Sequence, residues 1–168
     1  MSFFLNRHLA GGLLAASLAL GALVLPARAL TVDEVGKVVQ LLGELEPELG
    51  RLAYDDEEAD QWFDDDAGLE GRIAKAGFDR ESWKEALGAT FRGYLATIAA
   101  ERFEATFSGL TEKVETSDLN AEQKAEMRSF VATKIAETRA MRAEGERYVD
   151  AVQPYATRLN ELLGDGNE

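Results

Sequence analysis

The sequence contains no cysteine and a single histidine, His8, among its 168 residues. The absence of cysteine excludes disulfides, thiol nucleophiles and cysteine-ligated metal sites. Because His8 lies in an N-terminal apolar segment, the rest of the chain also lacks the histidine on which Ser-His-Asp triads and most zinc and haem sites depend. What remains for catalysis is carboxylate chemistry, and no cofactor is expected.

Positive charge is also scarce. The chain has 18 lysines and arginines against 31 aspartates and glutamates, which gives a net charge of −13 and a pI of about 4.6. Such an excess of carboxylates repels nucleic-acid backbones and anionic bilayers, so neither is an expected partner. With 46% hydrophobic residues and only three prolines, the composition is typical of a globular protein.

The N-terminal segment has the features of a secretory signal peptide. A short cationic start precedes an uncharged apolar stretch, residues 9–25, and Ala27 and Ala29 form an A-x-A processing site. We expect residues 1–29 to be a signal peptide that is cleaved after Ala29. The mature chain is then periplasmic or secreted, with no membrane span.

The remainder of the chain predicts an all-α fold, because apolar residues recur every three or four positions and no segment alternates in the manner of a strand. We expect one helical bundle domain over residues 30–163, built from about four principal helices, with a disordered tail at 164–168. Capping motifs at Thr31 and Asn120 predict two of the helix starts. Pro47 is expected to break or kink the first helix.

Three further helices follow from the apolar pattern. A second helix is predicted over residues 67–76, and a third begins at Asp79 and carries its aromatic residues as far as Phe107. After Asn120 one face stays apolar for about forty residues, which predicts a long C-terminal helix with a kink before Pro154.

The segment 55–66 is expected to connect the first two helices, and eight of its twelve residues are Asp or Glu. It has three interpretations: a solvated connection, a divalent-cation site with Asp64, Asp66 and Glu70 as weak calcium candidates, or an acidic-aromatic segment that binds a basic partner. The spacing does not fit an EF-hand loop. The candidate partner-binding residues are Asp55, Asp56, Glu57, Glu58, Asp60, Trp62, Phe63, Asp64, Asp65 and Asp66.

One enzymatic alternative uses two carboxylates to cleave peptidoglycan. Glu101 and Glu104 lie among apolar residues of the third predicted helix, and burial there would raise the pKa of a carboxyl toward that of a general acid. No motif of such enzymes accompanies them.

The residues Leu119-Asn120-Ala121-Glu122-Gln123 resemble a variant of the L-T-x-x-Q motif of the periplasmic helical Spy and CpxP stress-chaperone family. The resemblance implies a small exported helical protein that holds unfolded clients. The motif occurs once, with Asn where the family has Thr, and a helix capping box accounts for the same five residues.

These features together predict an exported helical protein that acts by binding, as an accessory or adaptor protein of the cell envelope. A chaperone and a carboxylate-dependent peptidoglycan enzyme are the alternatives. The expected partner is a protein, and a basic one would complement the acidic segment. The apolar face from Val131 to Leu163 also predicts a homodimer.

Overall fold

The computed structural model describes residues 29–52 and 54–163. Within these ranges the chain is mostly helical and contains no β-strand, so the all-α prediction is confirmed. The predicted signal peptide lies outside the described residues except for Ala29 at its end. Ala27 of the predicted cleavage site and the predicted tail, residues 164–168, also lie outside them.

Eight α-helices follow one another along the described part of the chain. They are α1 (Val32–Leu49), α2 (Asp56–Gly68), α3 (Arg72–Lys75), α4 (Arg80–Thr97), α5 (Ala100–Thr116), α6 (Ala121–Gly145), α7 (Val149–Val152) and α8 (Ala156–Leu163). Single 3-10 turns at Glu146–Tyr148 and Gln153–Tyr155 separate the last three helices.

The helix starts follow local chemistry. Thr31, Asp79 and Asn120 each accept a hydrogen bond from a backbone N–H of the first turn, and a side chain of that turn bonds back to the cap. These boxes satisfy N–H groups that have no partner inside the helix. The three predicted starts are therefore confirmed.

A left-handed glycine ends α3. Gly77 has φ +97°, its N–H donates to the carbonyl of Ala74, and the N–H of Phe78 donates to that of Ile73. This is the Schellman arrangement, in which glycine adopts a conformation that side chains disfavour. Phe78 and Ile73 are both buried in the core.

One apolar core lies between α1, α2, α4 and the C-terminal helices. Trp83 is fully buried on α4, and its Nε1 donates to the carbonyl of Ala59 on α2 at 3.0 Å. The largest side chains of the core with no more than 2% exposure are Trp62, Trp83, Leu42, Leu45, Ile73, Leu87 and Leu159.

Two glycines let α4 and the end of α6 approach closely. A methyl group on Gly145 would overlap the carbonyl of Arg92, and one on Gly93 would press on Val152 and Tyr148. Because neither glycine has a Cβ, the two backbones pack directly on each other.

The core contains no residue between Ile98 and Tyr148. Residues 100–145, which comprise α5, its turn and α6, form an antiparallel hairpin in which α5 packs chiefly on α6. We call this part the hairpin, and we call residues 30–99 and 146–163 the head.

Five predictions about the helices differ from the structure. Pro47 does not break α1, because it is the third residue from the helix end and faces solvent, where water can satisfy the one carbonyl that loses its partner. The predicted helix 67–76 shrinks to α3, and the predicted connection at 55–66 is helical.

The other two differences define the hairpin. The third predicted helix ends before Phe107, since Ile98 and Ala99 have extended ψ angles of 131° and 138° and separate α4 from α5. The long C-terminal helix is interrupted after Gly145 and again at the 3-10 turn that contains Pro154.

Candidate binding surface

The acidic segment 55–66 is the N-cap and most of α2. Asp55 caps the helix by accepting a hydrogen bond from the N–H of Glu58 at 2.6 Å. Three acidic residues occupy the first turn, where the positive end of the helix dipole favours them. The same charges that suggested a solvated connection therefore stabilise a helix start.

The two aromatic residues of this segment face the head. Trp62 is 2% exposed, and its Nε1 donates to Glu58 at 3.2 Å. Phe63 is half-buried, with the guanidinium of Arg80 5.0 Å from its ring centre. An acidic-aromatic binding segment would need accessible rings, and these rings already have partners within the head.

Several carboxylates of α2 are paired inside the head. Lys84 bonds to Asp60 at 2.6 Å and lowers the pKa of that carboxyl, and Arg80 pairs with Asp64. The hydroxyl of Tyr54 donates to Asp56 at 3.0 Å, and burial raises the pKa of Tyr54 to about 12. Glu57 and Asp65 are exposed, which leaves a small part of the predicted surface free.

Asp66 has a structural position. It is 1% exposed, and its Oδ2 accepts a hydrogen bond from the N–H of Ile73 at 2.7 Å, while Oδ1 has no hydrogen-bond partner. Its carbonyl accepts from Leu69 and Gly71. Asp66 therefore fixes the sharp turn between α2 and α3.

The calcium candidates do not come together. Asp64 faces Arg80, Asp66 faces the turn into α3, and Glu70 lies 3.4 Å from Arg72. Among residues 29–52 and 54–163, no group of three or more His, Asp or Glu side chains is placed to hold a metal ion.

Ion pairs set the register of the hairpin. Arg139 pairs with Glu104 near one end, and Arg128 pairs with Glu115 at 2.6 Å near the turn. Arg142 donates to the carbonyl of Leu95 and lies 5.0 Å from the ring centre of Phe103. Arg142 thereby ties α6 to both sides of the break between α4 and α5.

The apolar seam between α5 and α6 is narrow. Only Phe103 and Val114 are buried on α5, and Val131 and Ile135 of α6 are half-buried. A shallow groove of about 390 Å³ runs beside the seam on the side of the Glu104–Arg139 pair. A two-helix contact cannot cover all the apolar side chains that the hairpin carries.

Three large apolar side chains of the hairpin are exposed: Leu110 at 43%, Met127 at 41% and Phe130 at 58%. Met127 and Phe130 are three residues apart, so they are neighbours along one side of α6. The sequence analysis placed both on a continuous apolar face. In the structure both side chains are exposed to solvent.

The predicted dimer surface, Val131 to Leu163, belongs to the hairpin before Gly145 and to the head after it. Val152, Leu159 and Leu162 are buried in the head of their own chain, so the part of Val131 to Leu163 that contains them is not a free surface. Met127 and Phe130 are exposed, but they lie before Val131 and therefore outside the predicted surface.

The two candidate catalytic carboxylates are exposed on α5. Arg139 lowers the pKa of Glu104 by hydrogen bonding to its carboxylate, which is the opposite of what a general acid needs. Neither Glu101 nor Glu104 has the buried environment that the enzymatic alternative assumed.

The head and the hairpin also differ in net charge. The head contains 20 acidic and nine basic residues, whereas the hairpin contains nine acidic and seven basic residues. The net charges are −11 and −2. Of the five exposed large apolar side chains among the described residues, Leu110, Met127 and Phe130 belong to the nearly neutral hairpin, and Val32 and Leu69 belong to the head.

Comparison of the chain with models of protein families, with curated proteins and with solved structures gave no match. The resemblance at Leu119–Gln123 stays confined to those residues, and the capping box predicted there is present. No helix within the described residues is both long and apolar enough to cross a membrane.

Proposed function

We propose that the protein is an exported accessory or adaptor protein of the cell envelope that acts by protein–protein binding through its hairpin. The proposal combines the N-terminal signal features with one structural observation, the exposed Leu110, Met127 and Phe130 on a hairpin whose side chains are not part of the core. Neighbouring exposed apolar residues are typical of interaction surfaces.

The electrostatics of the hairpin support binding to a protein rather than to a polyanion. Its nine acidic and seven basic residues are intermixed, and the Glu104–Arg139 and Glu115–Arg128 pairs satisfy four of them internally. A nearly neutral surface with an apolar centre and a charged rim is common in protein interfaces.

Crosslinking in the native compartment, followed by affinity purification and mass spectrometry, tests the proposal. The wild-type protein should capture one or two stoichiometric proteins, and Phe130→Glu should lose them. Leu69→Glu is the matched control, because Leu69 is 52% exposed but belongs to the head. Equal capture by wild type and Phe130→Glu would exclude the hairpin as the binding surface.

A chaperone that holds unfolded clients is the second candidate. The observation in its favour is Met127 beside Phe130, because a flexible methionine adapts to varied apolar surfaces. A chaperone should suppress aggregation of an unfolded model protein at equimolar amounts or below, and should lose this effect in Phe130→Glu. Inertness in that assay removes the chaperone and leaves the adaptor.

A further inference from the structure

Phe130 lies at the centre of the uncovered side of α6. Positions three and four residues away on the same side are Glu126, Met127, Thr133 and Lys134. Lys134 bonds to Glu137 at 2.8 Å and lies 6.0 Å from the ring centre of Phe130. This side of α6 therefore has an aromatic centre with an acidic residue toward the turn and a basic residue toward the head.

The Glu104–Arg139 and Glu115–Arg128 pairs set an antiparallel register in which Leu110 of α5 lies opposite Thr133 of α6. Thr133 is three residues from Phe130, which is about 4.5 Å along a helix. Leu110 and Phe130 are thus about one turn apart along the hairpin.

We propose that the partner of this surface is the hairpin of a second copy, in an antiparallel contact between the two α6 helices centred on Phe130. This inference rests on the proposed function, since it names the occupant of the same surface. A closed two-fold contact of this kind places one patch against itself.

Charge complementarity carries the proposal. When two antiparallel helices meet at Phe130, residues equally far from it on opposite sides face each other. Glu126 then faces the partner's Lys134, and Lys134 faces the partner's Glu126. Phe130 packs on the partner's Phe130, with Met127 of each copy beside it. The apolar centre and both charge pairs come from a single helix.

The distribution of net charge favours the same arrangement. A contact between two heads would bring two surfaces of charge −11 together, whereas the hairpins carry −2 each. Phe130 is fifteen residues from Gly145, which is about 22 Å along a helix. The antiparallel geometry places the two heads on opposite sides of the contact.

The contact is limited to the turns around Phe130. Two packed helices cross at an angle, so α6 contacts its partner over the turns around Phe130 rather than along its full length. Such a contact is small for a protein interface, so the dimer should dissociate on dilution.

Sedimentation equilibrium of protein purified after expression of the complete chain tests the proposal. We expect wild type and Leu69→Glu to form dimers, and Phe130→Glu to remain monomeric at every concentration. Trp62 and Trp83 are buried in the head, so their fluorescence shows that each variant is folded. A wild-type protein that stays monomeric up to about 1 mM would overturn the inference.

A charge-reversal cycle provides the second test. Glu126→Lys alone and Lys134→Glu alone each place like charges opposite each other twice, and each should raise the dissociation constant roughly tenfold. The double variant Glu126→Lys/Lys134→Glu restores both pairs and should return most of the affinity. If the double variant dimerised as weakly as the single variants, the antiparallel register would be wrong.

The two proposals fail in different ways. If wild type is monomeric but Phe130→Glu still loses a captured protein, the second copy is not the partner and binding through the hairpin stands. If Phe130→Glu changes neither self-association nor capture, both proposals are wrong.

Discussion

The head buries two tryptophans and most of the apolar residues of α1 and α4, whereas the hairpin fully buries only Phe103 and Val114 on α5. The head holds most of the negative charge and pairs much of it internally, and the hairpin is nearly neutral and leaves Phe130 in solvent. One region is thus stabilised by a core assembled from distant segments. The other is held by a thin seam and by its attachment at Gly145 and Arg142.

The comparison also separates stability from binding. Substitutions in the head should change the free energy of unfolding, because they disturb a closely packed core. Substitutions on the exposed side of the hairpin should change association and leave unfolding nearly unchanged. The predictions below test this division, and most compare a residue of the head or its junction with a matched residue elsewhere.

The largest effect is expected at the attachment of the two regions. Gly145→Ala places a methyl group on the carbonyl of Arg92, and we expect it to lower the free energy of unfolding by about 3 kcal/mol. Gly109→Ala is the control, because nothing lies within 4 Å of the added group. It should raise the free energy of unfolding by about 0.5 to 1 kcal/mol through helix propensity. Urea unfolding followed by tryptophan fluorescence measures both, and a Gly145→Ala protein as stable as wild type would contradict the close packing.

A smaller loss is expected at the turn between α2 and α3. Asp66→Ala leaves the N–H of Ile73 without its acceptor in a buried site, which should cost about 1 to 3 kcal/mol. Asp65→Ala changes the neighbouring exposed carboxylate and should alter stability by less than about 0.5 kcal/mol. Thermal unfolding of the two variants provides the comparison. Equal melting temperatures would show that Asp66 has no structural role.

One substitution should stabilise the head. Thr90 is fully buried on α4, and its hydroxyl has no hydrogen-bond partner. Thr90→Val replaces the hydroxyl with a methyl group of similar shape and should raise the free energy of unfolding by up to about 1 kcal/mol. Thr106→Val on the exposed side of α5 should be neutral within about 0.5 kcal/mol. A destabilised Thr90→Val protein would indicate a partner for the buried hydroxyl.

The smallest effect on stability is expected when low pH protonates the glutamates of the two ion pairs in the hairpin. Arg139 and Arg128 lower the pKa of Glu104 and Glu115 below the ordinary value for glutamate. The two ion pairs therefore stabilise the folded state fully above that ordinary value, about 4.3. This stabilisation is lost as the pH falls through the lowered pKa of each glutamate in the folded state. Carbon NMR titration of the carboxylates should show both low values, and Arg139→Gln should restore that of Glu104 alone. The contribution to overall stability is small, since these side chains are about half exposed.

Much of the fold was predictable from local sequence. The caps at Thr31, Asp79 and Asn120 and the Gly77–Phe78 helix end depend on residues within a few positions of one another, and all four are present. The apolar stripe of α1 also identified its buried side, because a helix with one apolar face buries that face.

The errors have a common physical origin. The acidic segment 55–66 looked like a solvated connection because its neutralising partners, Arg80 and Lys84, are about twenty residues away on α4. The break at Ile98 and Ala99 carries neither glycine nor proline, so no local signal marks it. Arg142 holds this break in place by donating to the carbonyl of Leu95, although the two residues are 47 positions apart in the sequence.

The candidate surface was predicted only in part. Periodicity placed Met127 and Phe130 on one apolar face with Val131 and Ile135, but it could not show how much of that face another helix covers. Coverage depends on where α5 ends and on where α6 meets α4, and both are tertiary properties. The exposed pair was therefore found by the structure and not by the pattern.

Arg51, at the end of α1, donates hydrogen bonds to the carbonyls of Glu161 and Leu162, at 3.0 and 3.1 Å. These bonds span 110 and 111 residues of sequence, whereas the ion pair between Glu104 and Arg139 spans 35. Contacts between distant segments form slowly, because a long loop must close first. During synthesis the hairpin can therefore form while the head is still incomplete. The core closes only when its last helix, which supplies Leu159 and Leu162, has been made.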